Sequence, residues 1–199
     1  ALSSQNFTTD TASNNTAVGH EAGNGITTGI RNTIMGAHAG DALTDADENT
    51  AIGALALTTD TLGSKSTAIG RGTLGSQNFT TATDSHNTAV GYFAGNQVTT
   101  ATDVTLIGGL AGDAITTGTD SVAVGSSAMT NNTTGQRNIA IGSDALFTLN
   151  HTDGTQGYNI GIGYSAGLNL TTGQQSTFVG HQAGSGIQSG VGNTAFGYG

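Results

Sequence analysis

The chain has 199 residues, of which 33 are glycine and none is proline, cysteine or tryptophan. Charged residues make up 9% of the chain and its formal net charge is −9. The acidic balance argues against nucleic-acid binding through a basic patch, and the lack of cysteine excludes a disulfide scaffold and thiol chemistry. No apolar run approaches the ~20 residues of a membrane-spanning helix, so membrane insertion is not expected.

The most informative feature of the chain is an internal repeat. SQNFTT occurs at residues 4–9 and again at 76–81, and a weaker copy, TLNHTD, follows at 148–153. Each repeat contains a short apolar segment, called the apolar word here, that ends at a glycine, called the marker glycine. The spacings between successive marker glycines are 17, 17, 17 and 21 residues, and this series then repeats. The marker glycines are Gly19, Gly36, Gly53, Gly70, Gly91, Gly108, Gly125, Gly142, Gly163, Gly180 and Gly197. The spacing predicts one repetitive domain over residues 1–199, with eleven coils and a superperiod of four coils, as from Gly19 to Gly91.

The apolar word predicts a short strand in each coil, with positions counted from the marker glycine. Position −1 is always apolar, and position −3 is threonine except at Val122, Ile139 and Ile160. Because strand side chains alternate between faces, position −2 points the other way, and it is never polar. A strand that is apolar on both faces is covered on both faces. We expect −1 and −3, as at Ile141, to line the interior of the coil.

The rest of each coil predicts turns and a second short strand. Position +3 is alanine in nine of its ten occurrences, and an apolar residue at +7 recurs, as at Ile26 and Ile115. Thr-Thr-Gly follows in four coils and suits a turn that needs a positive φ. Asparagine recurs at −4, where it is expected to form a ladder from coil to coil. These features predict an all-β fold, a parallel β-solenoid.

The four additional residues of each long coil fall in one loop, which contains SQNFTT. We expect Phe7 and Phe79 to fold this loop onto the neighbouring coil, because burial of a large apolar ring contributes about 1.5–3 kcal/mol. The third copy has His151 at this position, and it is expected to be less buried. Replacement of Gln77, in the same loop, is expected to leave stability nearly unchanged.

The words NTAVG-x-x-AG, NTAIG, SVAVG and NIAIG resemble the shaft repeats of phage and prophage tail-fibre proteins. They are also similar to the β-roll repeats in the heads of trimeric autotransporter adhesins. The resemblance covers essentially all 199 residues. It implies a left-handed β-roll, a homotrimer around a fibre axis, and an extracellular location on a virion or a cell surface.

Position −2 is interpreted as the seam between the three chains of such a fibre. The predicted seam residues are Ala17, Ala51, Ala68, Ala89, Leu106, Ala123, Ala140, Phe178 and Ala195. The length is a whole number of coils, and neither end has the atypical repeat of a capped solenoid. We therefore expect the chain to be a segment of a longer fibre or a subunit that stacks end to end.

Matches to catalytic and metal motifs are isolated. Gly70–Gly75 matches G-x-G-x-x-G, but neither a helical pattern nor a suitably spaced acid follows. Asp45–Asn49 imitates a calcium loop, yet Thr50 and Ala56 stand where an EF-hand has Gly and Glu. The histidines form no ligand motif. No catalytic residue, cofactor or enzymatic activity is predicted, and a looser calcium site is the one cofactor left open.

The sequence thus predicts a structural shaft that supports attachment to a host or a surface. The alternative is an extracellular filament subunit that polymerises end to end. Ice binding is less favoured, because it needs an exposed threonine face and threonine at −3 is expected to be buried. Glycan degradation is also less favoured, because it needs paired carboxylates and the acidic residues of this chain are scattered. Expected partners are other copies of the chain and a host-surface protein or glycan. Candidate glycan contacts are Tyr92, Phe93, Tyr158, Tyr164 and Tyr198.

Overall fold

The computed structural model describes residues 1–7 and 12–199, and its fold is a parallel β-solenoid of about eleven turns. Eleven three-residue strands, one from each coil, form a single parallel sheet in chain order, and two two-residue strands form a second sheet. The long sheet contains β1 (Thr16–Val18), β2 (Thr33–Met35), β3 (Thr50–Ile52), β5 (Thr67–Ile69), β7 (Thr88–Val90), β8 (Thr105–Ile107), β9 (Val122–Val124), β10 (Ile139–Ile141), β11 (Ile160–Ile162), β12 (Thr177–Val179) and β13 (Thr194–Phe196). The short sheet pairs β4 (Gly63–Ser64) with β6 (Thr83–Asp84).

The pairing register confirms the predicted coil lengths. Thr50 pairs with Thr67, one short coil later, whereas Thr67 pairs with Thr88, one long coil later. The second long step joins Ile139 to Ile160. Coils of different length stay in register because the backbone groups of each strand pair with the next coil, and the additional residues remain in a loop.

The second strand expected in every coil is mostly replaced by turns. Within residues 1–7 and 12–199, β4 and β6 are the only strands outside the long sheet, and two isolated bridges accompany them. Backbone groups in this part of the coil still pair one coil away, as Thr27 N donates to Thr44 O at 2.9 Å. Glycine and asparagine, which recur in this part of the coil, favour such turns over extended strands.

The two faces of each strand point in the opposite directions from those expected. Position −2 fills the interior, where Ala51, Leu106 and Phe178 are fully buried within the single chain. Position −1 points outward, and Ile141, expected inside, is 38% exposed. The interior is narrow, since it holds alanine at most −2 and +3 positions, and the larger β-branched side chains of −1 stay on the outside.

This geometry corrects the predicted seam residues. Their side chains contact the core of their own chain and are not available to a partner. Ala17 and Ala195 are partly buried and pack against the core. The others are fully buried: Ala51, Ala68, Ala89, Leu106, Ala123, Ala140 and Phe178. Position −2 is therefore part of the interior and does not form a surface for another chain.

The asparagines at −4 form a hydrogen-bonded ladder as expected. Asn32 N donates to Asn15 Oδ1 at 2.8 Å, and Asn49 N donates to Asn32 Oδ1 at 2.9 Å. The amide of Asn49 also donates to Gly63 O at 2.9 Å, and Ser66 continues the ladder by donating from its backbone to Asn49 Oδ1. The ladder satisfies buried polar groups at the point where each coil enters its strand.

Candidate functional site

The long sheet presents an exposed face, formed by the outward side chains at −1 and −3 and called the outer face here. The −1 row contains Val18, Met35, Ile52, Ile69, Val90, Ile107, Val124, Ile141, Ile162, Val179 and Phe196. Exposed fractions along the row are 54% at Val18, 36% at Ile69 and 39% at Ile107. Singly exposed apolar residues are normal on a soluble monomer, but a continuous row marks an interaction surface.

The −3 row changes character along the molecule. Threonine occupies it in eight of eleven strands, so the face is half polar at both ends. In the three neighbouring strands β9, β10 and β11 the row instead contains Val122, Ile139 and Ile160. There both rows are aliphatic, and the outer face has its most apolar segment.

A column of charged residues at −5 borders the outer face where each coil approaches its strand. Arg31 Nη2 lies 3.1 Å from Glu48 Oε1, and Arg137 Nε lies 3.5 Å from Asp120 Oδ2. A hydrogen bond from the Lys65 ammonium to the Asp84 carboxylate raises the pKa of this lysine, which belongs to the same column. Exposed pairs of this kind stabilise a chain little, but a polar border around an apolar centre is the usual anatomy of a protein interface.

The aromatic residues predicted to bind glycans lie in separate places. Tyr164 and Tyr198 stack on the two faces of one histidine ring, with centroid distances of 5.2 and 4.9 Å. Tyr92 and Phe93 contact edge to face at 4.5 Å in another part of the molecule. Tyr158 lies at position −5 beside Arg137 of the charged column, 5.8 Å from ring centroid to guanidinium carbon. The structure therefore does not assemble these five rings into one surface.

The carboxylates of the acidic turn at 45–49 bind groups of the neighbouring coil. Asp45 Oδ1 accepts a hydrogen bond from Thr28 Oγ1 at 2.5 Å, and Asp47 Oδ1 accepts one from Ile30 N at 2.8 Å. Glu48 pairs with an arginine of the charged column. The three side chains point to different partners, and a calcium site remains a prediction.

The enlarged loops fold inward at their aromatic position. Phe79 is 5% exposed, which confirms its expected burial, and Phe7 is half-buried; Thr8 and Thr9 lie outside the described residues. The expectation for His151 is wrong, because it is 4% exposed. Its ring nitrogens have no hydrogen-bond partner, and a cavity of about 140 Å³ opens beside it. At the rim of this cavity a hydroxyl hydrogen bond from Thr155 lowers the pKa of Asp153.

The side chain of Gln77, whose replacement was expected to leave stability nearly unchanged, is fully buried. Its Nε2 donates to Asp60 Oδ2 at 2.6 Å and to Ser66 Oγ at 2.8 Å, and Asn87 Nδ2 donates to its Oε1 at 2.9 Å. Asp60 and Gln77 occupy the usually apolar position +7 of successive coils. The sequence contained a signal for this buried pair, because two polar residues occupy the same core position in neighbouring coils.

Gly70–Gly75 runs into turns, and the residues that the structure describes contain no helix that could follow a dinucleotide loop. None of their elements is a helix long and apolar enough to cross a membrane. Comparisons of the chain with models of protein families, with curated proteins and with solved structures give no match.

Proposed function

We propose that the chain is the shaft of a trimeric extracellular fibre, of the phage tail-fibre or surface-adhesin kind, that supports attachment to a host or a surface. Three copies would meet along their outer faces, each as a left-handed roll. The observation that carries the proposal is the outward-pointing apolar row at −1 on eleven successive coils, in which seven side chains are exposed and four are half-buried. Covering it requires a partner of the same length and direction, which another copy of the chain supplies.

The size of the outer face suits such an association. At ~4.8 Å per coil the face is roughly 50 Å long and about 10 Å wide, so each chain would bury on the order of 500 Å² of it. If about half of this area is apolar, its burial contributes about 6 kcal/mol per chain at about 25 cal/mol per Å², before the cost of association. The charged column lies beside the face and would remain in contact with water.

The repeat also suits a mechanical role. Each coil contacts the coils before and after it through a continuous ladder, so length grows in proportion to the number of coils. A shaft of this kind holds a recognition element at a distance fixed by the sequence. The alternative, a filament subunit, would use the same ladder between molecules.

Deletion of residues 88–159 tests the role as a spacer. It removes one superperiod of four coils and joins Asn87 to Ile160 in the original coil register. Small-angle X-ray scattering should show rods of fixed length that are shorter by four coils, roughly 19 Å, in the variant. An unchanged rod length would contradict the shaft, and rods of indefinite length would favour the filament.

Ice binding is a second candidate because threonines at −3 point outward, contrary to the expectation from sequence. A flat row of hydroxyl and methyl groups is the surface that such a function needs. The three aliphatic residues of β9, β10 and β11 interrupt the row, and an association through the outer face would cover it. Thermal hysteresis of a chain that remains monomeric would support this candidate over the shaft.

A further inference from the structure

Two histidines and a glutamate converge beside the first two strands of the sheet. Each of His20, Glu21 and His38 offers a ligand atom within 4.8 Å of the other two. His38 Nδ1 lies 3.1 Å from Glu21 Oε2 and 3.3 Å from Asp41 Oδ2. The rings of His20 and His38 are 5.2 Å apart between centroids.

Coil stacking brings these side chains together. His20 occupies +1 of one coil and His38 occupies +2 of the next, and His38 N donates to His20 O at 2.9 Å. Glu21 and His38 share position +2, and both have a φ of 54°, so their side chains leave the coil in the same direction. Ala37 follows His20 in the +1 column and is small. Thr58 Oγ1 donates to Asp41 Oδ1 at 2.8 Å and holds the fourth polar side chain in place.

We propose that His20, Glu21 and His38 bind a divalent transition-metal ion such as Zn²⁺, with Asp41 in contact with His38. Imidazole nitrogen and carboxylate oxygen bind Zn²⁺ at about 2.0–2.2 Å, so neighbouring ligand atoms of a tetrahedral site lie roughly 3.3–3.6 Å apart. The distance of 3.1 Å from His38 Nδ1 to Glu21 Oε2 is close to this value. Ca²⁺ and Mg²⁺ fit less well, because they prefer ligand sets made of oxygen.

The ion would link the two coils through side chains in addition to their backbone ladder. Because the ligands come together only when the coils are stacked, binding to the folded chain raises its stability by mass action. Every ligand belongs to one chain and none is on the outer face. The site therefore does not depend on the proposed association of three chains.

Calorimetric titration of the purified chain with ZnCl₂ and with MgCl₂ tests the site. We expect one Zn²⁺ per chain, a higher Tm in its presence, and no effect of Mg²⁺. His38→Gln and Glu21→Gln should weaken Zn²⁺ binding roughly tenfold or more. Glutamine suits these positions because Gln182 occupies +2 of another coil with a φ of 57°. Acidification should release the ion, because protonated imidazole cannot ligate.

Two other exposed histidines provide matched controls. His86 has one carboxylate partner, Asp103 at 3.7 Å, and His181 shares position +1 with His20 but stacks between tyrosines. His86→Gln and His181→Gln should leave the titration unchanged. The proposal is overturned if Zn²⁺ gives no binding heat, if His38→Gln binds as tightly as the original chain with its circular dichroism unchanged, or if a control removes the binding.

Discussion

Gln77 and Asp60 show how a buried polar pair is accommodated inside a narrow coil. Each occupies a core position that is aliphatic in most other coils, and each is fully buried. Asp60 Oδ1 accepts backbone hydrogen bonds from Gly63 N at 3.1 Å and Phe79 N at 3.0 Å, while its Oδ2 accepts from Gln77. Satisfied in this way, the pair anchors the enlarged loop to the coil before it.

Gln77→Ala should lower the free energy of unfolding by about 2–4 kcal/mol, because it removes a partner from the Asp60 carboxylate and from the Asn87 amide. Gln97→Ala is the control, since Gln97 is exposed and should cost close to nothing. Urea denaturation measures both. Equal effects of the two substitutions would show that the buried network does not stabilise the loop.

For single residues, the sequence predicts the position in the coil better than it predicts the burial and the contacts of the side chain. Phe79 was predicted to be buried from its size and apolar character. His151 was not, because its burial follows from the place of its loop on the neighbouring coil and leaves its ring nitrogens without partners. The sequence did not predict that His20 and His38 lie close together. They are one residue further apart than the length of a short coil, so they occupy different coil positions, +1 and +2.

For the strands, the sequence showed that side chains alternate between two faces, but not which face points into the coil. Both faces of each strand are apolar, so hydrophobicity alone could not distinguish the inside from the outside. Side-chain volume was the available signal: Ala at most −2 positions fits a narrow interior, and the branched residues at −1 do not. Where Phe178 occupies position −2, Gly167 and Gly184 leave room for its ring, because a Cβ at either position would clash with a ring carbon.

The marker glycine that ends each strand is required by the approach of the next coil. Gly125 has a φ of +134°, and a Cβ built there would lie 2.5 Å from the carbonyl oxygen of Gly142. Gly125→Ala should therefore destabilise the chain by about 2 kcal/mol or more. Thermal and urea unfolding measure the loss.

Gly109→Ala is the matched control for this element. Gly109 is the next residue after a marker glycine, its φ is not positive, and a Cβ there would meet nothing within 4 Å. The substitution should be neutral or slightly stabilising, because alanine reduces the conformational freedom of the unfolded chain. If both substitutions cost the same, close contact between coils is not what selects glycine at the strand end.

For the whole molecule, periodicity was sufficient to predict the solenoid. Each coil repeats the same pairing, so the spacing of the glycines determines the number of coils and the position of every strand of the long sheet. The surface proposed for association between copies was not predictable in the same way, because it depends on which strand face the chain covers by itself. The structure leaves the −1 row uncovered, and the proposed assembly follows from that row.

The solution mass measured by sedimentation equilibrium tests this account most directly, with two substitutions on opposite faces of adjacent strands. The original chain should have three times its monomer mass of 19.6 kDa. Ile107→Asp, on the outer face, should give folded monomers, because an unpaired carboxylate would otherwise be buried in the seam. Ala89→Asp, in the interior, should unfold the chain. A monomeric original chain, or a trimer that survives Ile107→Asp, would contradict the account.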